Sequence, residues 1–416
     1  MGPFNSGMQL NSSLRVALFT DSLFETNGVA TLSQQLTRFA QHSERPFFCA
    51  HGGERTNVTD NGSLRTLELQ RSLGAFPVDK GLYCDPLRVF RYRKLVVEKL
   101  SSFKPDLVHI TGPGDLSWLG LWAAHTLDVP VVASWHTNLH EYLSRRLLKF
   151  CRFAPTSWRE KVAGSAEHQS LRGLMRFYRM ARFYLAPNAG TVELLKQRLA
   201  PRPAYIMAHG VDLDNFSPTL RPPGKRPFRI GYVGRMTAEK NVRAFADLER
   251  RLLATGKDFE ILMVGDGGES HWLKKNLRRV QLPGTLRGPE LAAAFASMDV
   301  FVFPSQTDTF GLVVLEAMAS GVPVAVSPET GARIGFREGV HGFSDGDYAN
   351  NVLALMNNEK LRRNMGAEAR FFACSHSWRS VFEQLYETYA EGLSTSNRRR
   401  AEQQSTERRT PAEALK

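Results

Sequence analysis

Short runs of Val, Ile, Leu and Phe alternate along this chain with longer stretches whose apolar residues recur every third or fourth position, and no other feature restricts the fold as much. Strand-sized runs interleaved with helix-period segments build βαβ units, whose parallel strands are buried on both faces. The first run, 15–20, passes through a loop, 21–28, into a helical stretch, 29–40, where Val29, Leu32, Leu36 and Phe39/Ala40 share one face. Further strands are predicted at 106–110, 129–134, 183–186 and 204–207.

Residues 213–227 interrupt the pattern with Pro218, Pro222, Pro223, Gly224 and Pro227. Proline removes a backbone donor and glycine adds freedom, so the interdomain linker is placed there. The alternation then restarts, with strands predicted at 229–233, 260–264, 284–287, 300–304 and 322–326 and helices at 241–254, 271–281, 290–296, 311–319 and 348–356. At about 100–200 residues per domain, the 416 residues suit two α/β domains, each a doubly wound parallel sheet, facing a cleft. The division is a disordered start, 1–13; a first domain, 14–212; the linker; a second domain, 228–375; a helix returning to the first domain, 376–394; and a disordered tail, 395–416.

The 54 Lys and Arg against 41 Asp and Glu give a net charge of +13. Ten of the basic side chains fall in residues 141–182, against Glu141, Glu160 and Glu167. Leu143, Leu147, Leu148 and Phe150 lie beside Arg145, Arg146, Lys149 and Arg152, an amphipathic basic stretch suited to an anionic membrane surface; a solvated helix with a packed apolar face is the plainer reading. No nucleic-acid reader motif accompanies the charge, so a nucleic-acid partner is not expected. Cys49, Cys84, Cys151 and Cys374 lie far apart, without CxxC or zinc spacing, which implies a reduced compartment and no structural metal. No apolar run approaches the roughly 20 residues that span a bilayer, and residues 1–13 carry no basic and apolar leader. A cytoplasmic protein is expected, peripheral at most on the inner face of a membrane.

The densest chemistry lies in Phe303-Pro304-Ser305-Gln306-Thr307-Asp308-Thr309-Phe310-Gly311-Leu312-Val313-Val314-Leu315-Glu316, followed by Gly321-Val322-Pro323. It reads as strand, polar loop and helix. Two acids, Asp308 and Glu316, frame a helix N-terminus at Phe310, Gly311 and Leu312 whose N–H groups suit an anion. Taken alone, such a pair is more often a cap and a solvated helical acid. The whole block, however, resembles the E-x7-E signature of the retaining family-4 glycosyltransferases of the GT-B fold, with Asp in place of the first Glu. That variant is associated with mannosyl- and glycolipid-forming branches.

Further segments resemble the family in order. Gly234-Arg235-Met236-Thr237-Ala238-Glu239-Lys240-Asn241 is similar to its strand-to-helix turn, in which Arg235 and Lys240 would hold the donor diphosphate. Val264-Gly265-Asp266-Gly267 resembles its next glycine turn, and Arg287-Gly288-Pro289-Glu290 its base-flanking segment, placing Gly265 and Arg287 at the donor. His209-Gly210-Val211-Asp212 resembles the hinge entry and is taken as structural. In the first half, Asp21…Asn27-Gly28-Val29 resembles the loop that brings Gly28 and Val29 to the donor phosphate and acceptor. Ala133-Ser134-Trp135-His136-Thr137 resembles the acceptor-side segment, which gives His136 the donor sugar; His109 keeps a structural reading and His140 is undecided.

The resemblance implies transfer of a hexose, mannose ahead of others, from a GDP- or UDP-linked sugar to a lipid, polyprenyl-linked or glycan hydroxyl, with retention. Glu316 would hold the ribose and Asp308 the sugar hydroxyls. No metal or further cofactor is implied, since side-chain cations and a helix dipole would neutralise the leaving diphosphate. An epimerase or sugar phosphorylase of the same fold is the alternative, separable by product analysis. A dinucleotide oxidoreductase ranks lower, for want of G-x-G-x-x-G after the first strand.

Overall fold

A computed structural model describes residues 14–413 other than 22, 25–27, 73, 80–81, 137–155, 225, 307 and 309. The expected frayed start and the basic stretch 143–152 lie outside the described residues. The chain divides into two compact units, one of Met1–Ala208 with Phe382–Lys416 and one of His209–Val381.

The first unit is built on β1 (Val16–Thr20), β2 (Phe47–Gly53), β3 (Asn57–Asn61), β4 (Leu64–Gln70), β7 (Leu107–Ile110), β8 (Val131–Ser134), β9 (Phe183–Ala186) and β10 (Ala204–Ile206), in the order β10-β9-β8-β7-β1-β2-β4-β3. Val16 pairs in parallel with Phe47 on one side and Leu107 on the other. From β1 the chain therefore builds outward in both directions. That switch point opens a crevice at the carboxyl ends of β1 and β7, where open α/β sheets bind ligands.

Residues 44–104 carried no predicted strand, yet they hold β2, β4 and the antiparallel edge strand β3. The signal was in the sequence: Asn61-Gly62 joins β3 to β4, with Gly62 at φ 68°, and Asn-Gly is a strong hairpin dipeptide. The smaller hairpin β5 (Phe76–Asp79) and β6 (Leu82–Cys84) leads into helix Pro86–Phe103. Arg88, 3% exposed, pairs there with Asp115 at 3.1 Å and with Asp85 at 3.4 Å. These charges join the starts of helices Pro86–Phe103 and Asp115–Thr126.

The long helix Trp378–Glu413 gives this unit Phe382, Tyr386 and Tyr389, all fully buried. Phe39 packs against Phe382 and Tyr386 at 5.5 and 6.1 Å between ring centroids. The tail expected to be disordered from 395 continues as helix to Glu413. Between Gly392 and Pro411 the sequence holds no breaker and is rich in Arg, Glu and Gln, good helix formers, so propensity extends a helix that packing has nucleated. In helix Thr156–Tyr178, Leu174, Met175, Phe177 and Tyr178 are buried while Arg172 and Arg176 are exposed. This described part of the basic segment has the packed face and solvated charges of the plainer reading.

The second unit carries β11 (Phe228–Val233), β12 (Phe259–Val264), β13 (Val280–Gly284), β14 (Val300–Phe303), β15 (Val324–Val326) and β16 (Gly342–Phe343), ordered β13-β12-β11-β14-β15-β16 and parallel throughout. β13 lies before the strand predicted at 284–287, and helix Ser270–Asn276 stops short of 281. Residues of β13 alternate between half-buried and exposed, as at a sheet edge, so their period was hidden behind the Leu and Lys spacing of the helix.

The boundary between units falls at Ala208/His209, ahead of the predicted linker 213–227. That segment is fastened to the second unit: Phe216 packs edge-on against Phe295 at 5.5 Å, and Arg370 Nη1 donates to the carbonyls of Phe216 and Ala319 at 2.7 and 2.5 Å. Its prolines keep this backbone out of α-helix and sheet, leaving one short 3-10 turn at Pro218–Leu220, and that is a weaker condition than a hinge. Among the described residues no helix is long and apolar enough to cross a membrane.

Candidate active site

In the second unit the residues singled out from sequence follow the carboxyl ends of its strands. Gly234, at φ 150°, follows β11 directly, and Gly265, at φ 131°, follows β12. A Cβ on Gly265 would stand 2.0 Å from the Gly234 carbonyl oxygen, and one on Gly267 2.3 Å from that of Met236. The two turns lie backbone on backbone, tied by Gly234 N–H to Val264 O at 3.0 Å and Met236 N–H to Asp266 O at 2.9 Å. Only glycine permits that approach. Gly265 thus shapes the floor of the site through its neighbour turn. The Tyr232 hydroxyl donates to Arg235 O at 2.9 Å, pinning the backbone while the Arg235 side chain remains exposed.

Lys240 ends the short turn Ala238–Lys240, closed by Asn241 at φ 53°. Its Nζ donates to Asp308 Oδ1 at 2.5 Å, with the two side chains 12% and 22% exposed. Two residues predicted to hold different parts of the donor are therefore paired with each other. Among the described residues, the buried Asp308 Oδ2 accepts no hydrogen bond.

The loop bearing Asp308 is clamped from below. Ser327 and Thr330 hydroxyls donate to Ser305 O at 2.6 and 2.7 Å, and Arg333 Nη1 donates to Gln306 O and Asp308 O at 2.8 and 2.6 Å. Gly311, at φ 85°, caps helix Leu312–Ala319, which begins one residue later than predicted. His209 stacks on Phe310 at 4.9 Å between centroids and is held neutral by burial, which lowers its pKa to about 4. Arg287 is exposed at the cap of helix Gly288–Ala296, three residues beyond β13.

Glu316 lies in the second turn of helix Leu312–Ala319. Burial, with a smaller contribution from the Asp212 carboxylate, pushes its pKa up to about 7. A carboxyl raised above its unfolded value stabilises the fold fully below the unfolded pKa of 4.5 and loses that contribution as pH rises through about 7. The stability of wild type relative to Glu316→Gln should therefore fall between pH 4.5 and 7.5, by on the order of 2 kcal/mol. Urea unfolding of both proteins across that range measures it; a pH-independent difference refutes the assignment.

In the first unit, Gly28 opens helix Gly28–His42 directly after the β1 loop, with Val29 next to it, half-buried. Asp21 Oδ1 accepts from Leu116 N–H at 2.9 Å, so the loop is stitched to the start of helix Asp115–Thr126. His136, 8% exposed, stands two residues beyond β8, and its Nε2 lies 2.6 Å from Ser134 Oγ. Ser134 Oγ also lies 2.8 Å from Nε2 of His109, whose Nδ1 lies 2.7 Å from the Tyr389 hydroxyl. His140 lies outside the described residues.

Sequence reasoning missed Arg333, Arg370 and Tyr389. Arg333 and Arg370 bond to carbonyl oxygens, which leave no trace in residue type; Tyr389 carried only its place in a helical apolar stripe.

Comparison with known proteins agrees with this geometry. Residues 27–215 match the family model described as Glycosyltransferase Family 4, and residues 227–358 the one described as Glycosyl transferases group 1. The GDP-mannose-dependent alpha-mannosyltransferase of Mycolicibacterium smegmatis is 33% identical over 73% of this chain and 78% of its own. The sulfoquinovosyl transferase SQD2 of Arabidopsis thaliana is 30% identical over 69% of this chain and 56% of its own. Among solved structures, sucrose-phosphate synthase from Thermosynechococcus elongatus aligns with a TM-score of 0.69 at 17% identity, covering 92% of this chain and 100% of its own. Two Rossmann-like units, the ordered strand-end motifs and these matches together make the chain an enzyme of glycosyltransferase family 4, with the GT-B fold.

Proposed function

We propose that this glycosyltransferase moves a hexose, with mannose favoured, from a nucleotide-diphosphate sugar to a lipid or glycan hydroxyl, retaining configuration at the anomeric carbon. The observation that carries this reading is the Lys240–Asp308 pair beside the Gly311-capped helix start. Arg235, Lys240 and the amides of Phe310 to Leu312 would stabilise the leaving diphosphate, in place of a divalent ion. Asp308 Oδ2 would accept from sugar hydroxyls and Glu316 from the ribose, and His136 keeps the donor-sugar role that the family resemblance implies. The bond from the anomeric carbon to the phosphate oxygen breaks with its electron pair leaving on the diphosphate. The acceptor oxygen bonds on the same face, and its proton passes to the departing phosphate oxygen. Mannose is preferred because the 33% identical relative is GDP-mannose-dependent, while the sulfoquinovosyl relative shows that related chains carry other sugars.

A specific surface favours a lipid acceptor. Leu87 and Phe90, 58% and 70% exposed, open helix Pro86–Phe103, and Trp118 and Trp122, 43% and 38% exposed, form one stripe on helix Asp115–Thr126. The two helix starts adjoin, since Asp85 N–H donates to Asp115 Oδ1 at 3.3 Å, and exposed Arg91, Arg93 and Lys94 flank the apolar residues. Aromatic and aliphatic side chains edged by cations suit the interface of an anionic bilayer.

One experiment tests both statements: purified protein, GDP-, UDP- and ADP-sugars, and acceptor lipids presented in neutral or anionic vesicles, with and without a chelator. Transfer from one donor, an α-anomeric product from an α-linked donor, turnover unchanged by chelation and co-sedimentation with anionic vesicles that weakens in Trp118→Ala/Phe90→Ala are expected. Absence of donor binding and hydrolysis overturns the donor reading, and equal binding to both vesicle types overturns the surface reading.

A further inference from the structure

The buried hydrogen bonds around His136 can be traced atom by atom. Tyr389 is fully buried, and among the described residues the acceptor within reach of its hydroxyl is His109 Nδ1, at 2.7 Å. A buried phenol proton is costly to leave unused, so Tyr389 donates and Nδ1 accepts. Burial drives the His109 pKa down to about 3, so its ring is neutral and carries its single proton on Nε2. Nε2–H then donates to Ser134 Oγ, 2.8 Å away. The Ser134 proton has two acceptors, His136 Nε2 at 2.6 Å and Ile110 O at 3.3 Å, and the shorter contact is the stronger bond.

We propose that Tyr389, His109 and Ser134 form a directional hydrogen-bond relay that makes Nε2 of His136 an acceptor and keeps the proton of neutral His136 on Nδ1, with Ser134 as the positioning residue. Nδ1–H is thereby the donating edge of the ring. Ile110 O provides a second setting: when His136 takes up a proton on Nε2, the Ser134 hydroxyl turns to the carbonyl and accepts from both imidazoles, so no member of the relay loses its partner. The relay reaches from the C-terminal helix, through two strands, to His136, the first-unit histidine that the family resemblance assigns to the donor sugar. Its catalytic relevance rests on that role.

The test uses the full-length protein labelled with 15N-histidine, whose tautomers are read from long-range 1H–15N correlations. His136 is expected in the Nδ1–H form and His109 in the Nε2–H form at neutral pH. Ser134→Ala should release the preference at His136 and lower kcat about tenfold with little change in donor KM, and Ser134→Thr, which keeps the hydroxyl, should restore both. Tyr389→Phe should mix the tautomers of His109 while leaving near-native packing. An Nε2–H form of His136 in the wild type, or an unchanged His136 spectrum in Ser134→Ala, overturns the relay. His136→Ala reads the underlying role separately: undiminished turnover in that variant removes the donor-sugar role, whereas the relay stands or falls on the spectra alone.

Discussion

Lys240→Ala is expected to lower kcat/KM for the nucleotide sugar by about 10²–10³, the range seen when one preorganised charge is removed from a developing anion. In the proposed reaction the Lys240 cation would serve two partners at once. It pairs with Asp308 at 2.5 Å, and it stands in the strand-end turn that resembles the diphosphate-holding segment. Without it, a carboxylate only 22% exposed loses its counter-charge and would face the donor phosphates unpaired. The loss should therefore appear in donor binding as well as in turnover. Asp308→Asn in the Lys240→Ala background should recover part of donor binding, because it removes the unpaired charge while keeping hydrogen-bonding capacity. Isothermal calorimetry and initial rates on wild type, Lys240→Ala, Asp308→Asn and the double variant measure the coupling. Arg363→Ala, which breaks an i,i+4 pair whose arginine is 78% exposed, serves as the surface control and should change activity and stability little. Equal effects of the two alanine variants would remove Lys240 from the site.

Gly265→Ala should destabilise the second unit by on the order of 4 kcal/mol or more, a size reserved for a few named mechanisms of which forced backbone collision is one. The added methyl would lie 2.0 Å from a backbone oxygen of Gly234, and at φ 131° the backbone itself resists a side chain. The collision is with main chain, so no rotamer change relieves it. Gly335→Ala is the matched control: φ is 76° but nothing lies within 4 Å of the added methyl, and a cost of about 1 kcal/mol is expected. Urea unfolding of both variants compares them. Similar midpoints would mean that the two turns part easily and that the glycine answers to the donor rather than to its neighbour turn.

Much of the second unit was legible because its strands are buried on both faces: β11, β12, β14 and β15 all fall within three residues of the runs predicted for them. Edge strands were harder. β13 is half-solvated and β3 is exposed along its length, so neither presents an apolar run. The proline stretch 213–227 was read as a linker because composition reports what backbone cannot do, whereas its attachment through Arg370 depends on carbonyls supplied by distant elements.

The sequence by itself determined the architecture of two parallel α/β sheets, the turns that carry Arg235, Lys240 and Gly265, the loop and helix that carry Asp308 and Glu316, and the resemblance that names the chemistry. These are local matters of period, turn residue and spacing, each contained within some twenty positions. Tertiary structure alone decided which groups meet. Lys240 and Asp308 are 68 positions apart and His109 and Tyr389 are 280 apart. A hydrogen bond is set by angles and by distances of a few tenths of an ångström, and these follow from how sheets, helices and loops pack, which no one-dimensional pattern encodes.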